Sequence, residues 1–201
     1  MSSRFRGTHN GSACKRIVVK TPFISTHQCL NVETELKFEE VIKKRRSIRR
    51  YKETPVPKEK ILKILEAAKM APSAAHRQPW HFIVVEDKEA IKKLAKSPWA
   101  ADAPVMIVGL ADQEASPNWC LNDHGIAFEH IVLAATDLGL GTCWMGQSNR
   151  EELVKDLLGI PDKYKVVALT PVGVPDETPS PKERKSLDEI VSWGKYGSKP
   201  E

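Results

Sequence analysis

Eight consecutive positions, Lys43-Lys44-Arg45-Arg46-Ser47-Ile48-Arg49-Arg50, hold six basic side chains. Packed that closely they repel one another unless an anion relieves the crowding. Guanidinium groups grip phosphate oxygens in a two-pronged fork, Ser47 adds a hydroxyl donor, and a helix C-terminus, where the periodicity places the run, favours cations. The same octad also reads as a solvated face balanced by Glu39, Glu40 and Glu53, and the residues alone do not choose. A nucleic-acid patch is a third chemistry; against it, Tyr51 is the sole interleaved aromatic and no helix-turn-helix or RNP-like signature is present.

The second cluster is Pro72-Ser73-Ala74-Ala75-His76-Arg77-Gln78-Pro79-Trp80. Its small residues would let a backbone approach a flat ligand, and Gln78 offers an amide donor and acceptor for a heterocycle edge. An ordinary proline-rich turn leading to a core Trp80 has the same signature. A third run, Gly139-Leu140-Gly141-Thr142-Cys143-Trp144-Met145-Gly146, closes a helix rather than opening one, so it is a cap feeding a strand and not a dinucleotide fingerprint. Cys143 reads as a small buried apolar residue. His124 and His130 lie six apart, off the shared face a metal pair needs, and Asp123, Glu129 and Asp137 form no recognisable carboxylate pair. With no G-x-S-x-G, H-E-x-x-H or P-loop, no side chain stands out as acid, base or nucleophile, and no metal is expected. If the chain is an enzyme, a cofactor carries the difficult step.

The elements that must position these residues follow from periodicity. Phe38, Val41, Ile42 and Ile48 predict a first helix ending near the basic run, and Ile61, Leu62, Ile64, Leu65 and Ala68 a second. A strand is expected at 81–86, a helix at 88–96, a strand at 104–110 and a long amphipathic helix over 119–138 capped by Gly139. A strand at 141–145, a helix at 150–158 and a strand at 165–174 complete the pattern. Helices and short strands alternate without repeats, which fits a helix-flanked mixed sheet better than an all-α or all-β design.

The 201 residues suffice for one domain with a real core, and the longest apolar runs are strand-sized, well short of the ~18 residues of a membrane span. Four cysteines without a C-x-x-C pair read as free thiols of a reducing cytosol. The formal charge of +5 is unevenly placed. Residues 1–32 contain Arg4, Arg6, Lys15, Arg16 and Lys20 and no acid, whereas the remainder is neutral, with 26 acidic residues in balance. We therefore divide the chain into a basic, flexible extension, 1–34, with one short strand at 17–19, and a single domain, 35–201. A disordered arm or an upstream start outweighs a transit peptide, because Pro22 and the Ile17-Val18-Val19 run oppose an amphipathic helix.

Taken in order, Arg45-Arg46-Ser47-Ile48-Arg49, the Pro72–Trp80 loop, the Gly139–Gly146 run and Arg184-Lys185-Ser186-Leu187 resemble the FMN-dependent nitroreductase family over about residues 36–193. The resemblance implies an α+β fold with a central mixed, mainly antiparallel sheet flanked by helices, in an intertwined cytoplasmic homodimer with FMN at the interface. It implies that Arg45, Ser47 and Arg49 hold the phosphate and ribityl chain, that Arg46 contacts the ring, and that Arg184 and Lys185 complete the phosphate site. Pro72, Ser73, Ala74, His76 and Gln78 would reach the flavin from the other protomer, His76 standing where the family often has Asn. Met145 and Gly146 would turn backbone groups to the flavin's reactive edge.

The implied reaction is ping-pong, hydride passing from NADH or NADPH to flavin N5 and two electrons then to a planar acceptor such as a nitroaromatic or quinone, with no catalytic side chain. A specialised relative, reductive dehalogenase or flavin-fragmenting enzyme, is the alternative. Its lid would fall in 97–119, which is short here, and Trp99 and Trp119 are candidates to line a substrate pocket. Neither nucleic acid nor membrane is an expected partner.

Overall fold

The computed structural model describes residues 37–147 and 149–199; the N-terminal extension, including the strand expected at 17–19, lies outside the described residues. Five strands form the sheet: β1 (Trp80–Val85), β2 (Val105–Asp112), β3 (Gly141–Thr142), β4 (Met145–Gly146) and β5 (Tyr164–Gly173). Their order is β1-β2-β5-β3, with β4 also on β5, and every strand pair is antiparallel. A parallel bridge from Ser47 to Thr142 makes the sheet mixed.

Alternation along β2 sorts the core into two layers. Val105 and Ile107 face α2 (Lys58–Lys69) and α4 (Cys120–Asp137), packing with Ile64, Phe128 and Ile131. Met106, Val108 and Leu110 face the other way, to Ile91 and Leu94 of α3 (Lys88–Leu94) and Val154 of α5 (Glu151–Leu158). Because β2 is buried on both faces, its sequence is a continuous apolar run and not an alternating one. Gly109, on the α4 face, lies where a Cβ would come within 2.2 Å of His124 Nε2, so a glycine there lets α4 sit close to the sheet.

α4 ends as its sequence indicates. Gly139 takes φ +72°, and the Leu140 amide donates to the Ala135 carbonyl in a Schellman-type closure. Two expectations need correction. The strand expected over 141–145 is two short pieces with Cys143 and Trp144 between them. Pro171, which has no N–H to offer, lies opposite this break, and the Thr170 hydroxyl accepts from the Cys143 amide instead. Ile48 is not on the first helix: α1 (Phe38–Lys44) stops before Arg45, whose φ/ψ of -53°/127° is extended. Among the described residues no helix is long and apolar enough to cross a membrane.

Candidate functional site

After α1 the chain runs extended along β3. The Ile48 amide donates to the Thr142 carbonyl (2.8 Å), and further on the Lys52 amide donates to Val174 and the Asp176 amide to Arg50 (both 2.9 Å). Two glycines make the approach possible. A Cβ on Gly141 would lie 2.8 Å from the Ile48 side chain, and one on Gly173 2.9 Å from Tyr51. Tyr51 then donates its buried hydroxyl to the Ile48 carbonyl at 2.6 Å. In an extended segment successive side chains alternate, so the octad is divided. Ser47 hydrogen-bonds the Cys143 thiol, and the charges of Arg49, Glu177 and Arg45 lie near enough to act on it. Burial pushes that thiol up, while Arg49 and the Ser47 hydroxyl oppose the shift, so Cys143 stays protonated and is no nucleophile. The Arg49 guanidinium stands 5.7 Å from the Trp99 ring centroid, and its amide donates to Glu177.

Arg46 points elsewhere. It donates to the carbonyls of Lys43 (2.7 Å) and Arg45 (2.8 Å) and lines a cavity of about 230 Å³ with Lys44, Gly139 and Glu177. Met145 buries its side chain in the α3/α5 layer, leaving only its backbone on the edge, and Gly146 is exposed with nothing within 4 Å of a built Cβ.

Loop 72–78 lies at the other end of α4. Ser73 accepts from the Gln78 amide (2.9 Å), and the Gln78 side-chain amide donates to His76 Nε2 (3.1 Å). Ala75, His76 and Gln78 have φ of 50°, 56° and 48°, left-handed values unusual outside glycine, and His is among the residues that tolerate them best. Pro72, Ser73 and Ala74 share a cavity of about 440 Å³ with Trp119 and Asp123. Asp123 is in the first turn of α4 and Thr136, which borders the Arg46 cavity, in its last, so roughly 20 Å of helix separates the two groups at about 1.5 Å per residue.

Arg184 and Lys185 are on neither group. They belong to an arm in which every residue from 180 to 199 is exposed, and Arg184 donates to the carbonyls of its neighbours Lys182 and Glu183. The arm is nonetheless ordered locally: α6 (Leu187–Ile190) begins with a reciprocal Ser186/Glu189 capping box.

Sequence reasoning passed over three buried polar side chains. Asp123 is 4% exposed, with Oδ1 accepting from the Ala74 amide and Oδ2 without a partner. His124 and Gln147 are fully buried, with no hydrogen-bond partner on either ring nitrogen or either amide atom. Trp144 stacks edge-on against Phe128, centroids 4.5 Å apart. Trp144 falls in the Gly139–Gly146 run, and sequence reasoning weighed Asp123 and His124 only as carboxylate or metal pairs; no motif marks Gln147.

Gly141 offers a local test. Gly141→Ala would push Ile48, and with it Ser47 and Arg49, off the sheet edge, because overpacking here displaces a whole backbone segment. We expect FMN affinity, read by flavin fluorescence quenching, to fall about tenfold, with a stability loss of about 1–3 kcal/mol.

The chain matches the family model "Nitroreductase family" over residues 42–100 and 91–174. It is 41% identical over 160 residues to a protein from Methanothermobacter thermautotrophicus provisionally named NADH dehydrogenase/NAD(P)H nitroreductase, covering 75% of this chain and 84% of that one. It is 31% identical over 195 residues to rat (Rattus norvegicus) iodotyrosine deiodinase 1, covering 77% and 68%. Among solved structures, the FMN-dependent nitroreductase of Clostridium difficile R20291 superposes with a TM-score of 0.70 at 36% identity, over 78% of this chain and 98% of that one.

Proposed function

The chain belongs to the nitroreductase family, and from that membership we propose that it is an FMN-dependent oxidoreductase that takes hydride from NADH or NADPH and reduces a planar acceptor, a nitroaromatic or a quinone. The observation that carries this reading is the extended docking of the Arg45–Arg49 segment on β3, which brings Ser47, Arg49 and Arg45, with Glu177 beside them, within reach of Cys143. Two forks and a hydroxyl match a phosphate and its polar chain, and the charge of the phosphate offsets their mutual repulsion. FMN, when bound, supplies the two-electron carrier between nicotinamide and acceptor.

The chain's own residues bind and orient. Met145 and Gly146 offer backbone groups to the ring edge, with Gly146 leaving room for a close approach. Trp99 lies under Arg49 and holds that guanidinium by a cation–π contact. Neither cysteine nor carboxylate is needed as nucleophile.

A second copy completes the site in this reading. The arm carries Leu187, Ile190, Val191, Trp193 and Tyr196 exposed, an apolar set that a lone chain leaves unburied at a cost. Loop 72–78 and the Arg45–Arg49 segment, on opposite ends of α4, each contribute to one of two symmetry-related sites. Arg184 and Lys185 come to the phosphate with the arm. A chain ending at Pro179 is expected to be monomeric by light scattering and to lose FMN; a dimeric truncated chain with bound FMN would contradict the role of the arm. In this reading residues 35–201 form the FMN-binding domain of a protein working in the cytoplasm.

The similarity to iodotyrosine deiodinase 1 supports a second reading at the same site, reductive removal of halogen from an aromatic ring. Anaerobic turnover on matched nitroaromatic, quinone and halophenol substrates separates the two by which gives the larger kcat/KM.

A further inference from the structure

We propose that Asp123 is a positioning residue, whose buried carboxylate holds loop 72–78 in the left-handed shape in which it meets the cofactor; the cofactor part of this statement rests on the FMN reading above. Ala75, His76 and Gln78 all hold positive φ, a region that L residues enter at an energetic cost, so the loop keeps its shape only if its surroundings over-determine it. Two of its restraints, Ser73 Oγ to the Gln78 amide and His76 to the Gln78 side chain, lie inside the loop and would move with it. The bond from the Ala74 amide to Asp123 Oδ1 (3.1 Å) is different in kind, because it ties the loop to the first turn of α4, the longest helix described.

The chemistry of that acceptor also points to a dedicated role. Asp123 is 4% exposed, and its Oδ2 has no hydrogen-bond partner. A carboxylate buried with one oxygen unmatched is an expensive way to accept one amide proton. The positive N-terminal end of α4 offsets part of that cost and fixes the carboxylate beside the loop. Pro72, Ser73 and Ala74, which border the same cavity as Asp123, include the residue whose amide it accepts, so a displacement at Asp123 is passed directly to the residues aligned with cofactor contact.

The test uses the full-length protein and reads the loop without relying on FMN. Trypsin cuts after Arg77, an exposed residue of the loop, and after Lys165 in β5, which opens only with the whole sheet. We expect Asp123→Ala to raise the ratio of Arg77 to Lys165 cleavage and to weaken FMN about tenfold or more, the scale of one lost charge-assisted hydrogen bond. Asp123→Asn keeps an acceptor for the Ala74 amide and should restore most of the cleavage ratio and part of the affinity. Ala75→Gly in the Asp123→Ala background removes the φ penalty at one position and should recover part of the affinity. An unchanged cleavage ratio in Asp123→Ala overturns the proposal, as does an Asp123→Asn that behaves like Asp123→Ala. A wild-type protein that binds no FMN contradicts the cofactor reading alone, since the cleavage ratio still decides whether Asp123 holds the loop.

Discussion

Replacing Arg45 and Arg49 together by alanine should weaken FMN binding by at least about a hundredfold, since each removes a charge-assisted contact of about 1.5–3 kcal/mol to the phosphate and its chain. The charges of both arginines and the Ser47 hydroxyl act on the Cys143 thiol, and in the proposed function they serve one ligand. Lysine at both positions should recover only part of the loss, because an ammonium keeps the charge without the planar fork. Stability gives an independent sign. Without FMN the double variant sheds like-charge repulsion and should melt no lower than the wild type, apart from the lost Arg49–Trp99 contact. With FMN its Tm should fall, since ligand binding no longer stabilises the folded state by mass action. A variant destabilised equally with and without FMN would place these arginines in the scaffold instead. Arg46 serves as the contrast: one guanidinium nitrogen already donates to the carbonyls of Lys43 and Arg45, so Arg46→Ala should cost FMN less than the double change does.

Stability should also decline as the pH falls from about 6.5 to about 4, by about 3 kcal/mol in total, through His124 alone. His124 is fully buried on α4 between Phe82 and Phe128, ring centroids 6.1 and 5.2 Å away, with Gly109 beneath it and no partner on either nitrogen. Burial lowers its pKa from 6.5 to about 4, because an imidazolium there would lose its hydration with nothing in exchange. The unfolded chain takes up the proton near pH 6.5 and the folded one refuses it until about 4. Between those values protons favour unfolding by about 1.4 kcal/mol per pH unit, and below them the effect levels off. Urea unfolding of wild type and His124→Leu at several pH values isolates this contribution, since paired carboxylates such as Asp112, held low by Lys163, act alike in both proteins. The two curves should diverge above pH 4 and run parallel below it. Identical curves throughout would mean that His124 finds a partner or water when protonated.

Much of this architecture is visible in the amino-acid pattern. The apolar periodicity places α3, α4 and α5 within a residue or two of their observed ends and gives the buried face of α2, and Gly139 marks the end of α4 correctly. Local sequence could not show the interruption between β3 and β4, because its cause, Pro171, acts from the neighbouring strand. Ile48 was legible as apolar but not as the residue that leaves the helix and settles on Gly141. That one difference shapes the candidate site: on a helix the arginines would splay around the axis, whereas Arg45, Arg46, Arg49 and Arg50 follow the helix end on an extended segment whose side chains alternate. Asp123, His124 and Gln147 were silent for a related reason. A buried polar residue carries no periodic signature, and its role depends on which backbone amide or aromatic ring the tertiary fold brings to it. Arg184 and Lys185 lie on an arm exposed throughout residues 180–199, so their expected place beside the phosphate finds no counterpart in a single chain.

Titration of the purified apoprotein with FMN, followed by anaerobic addition of NADH or NADPH, puts the cofactor assignment to trial in one cuvette. One FMN per chain should bind, colour the protein yellow, lose its visible absorption on adding the nicotinamide and regain it when a nitroaromatic or quinone is supplied. A colourless protein that takes up no FMN, or a yellow one whose absorption neither NADH nor NADPH bleaches, would contradict it.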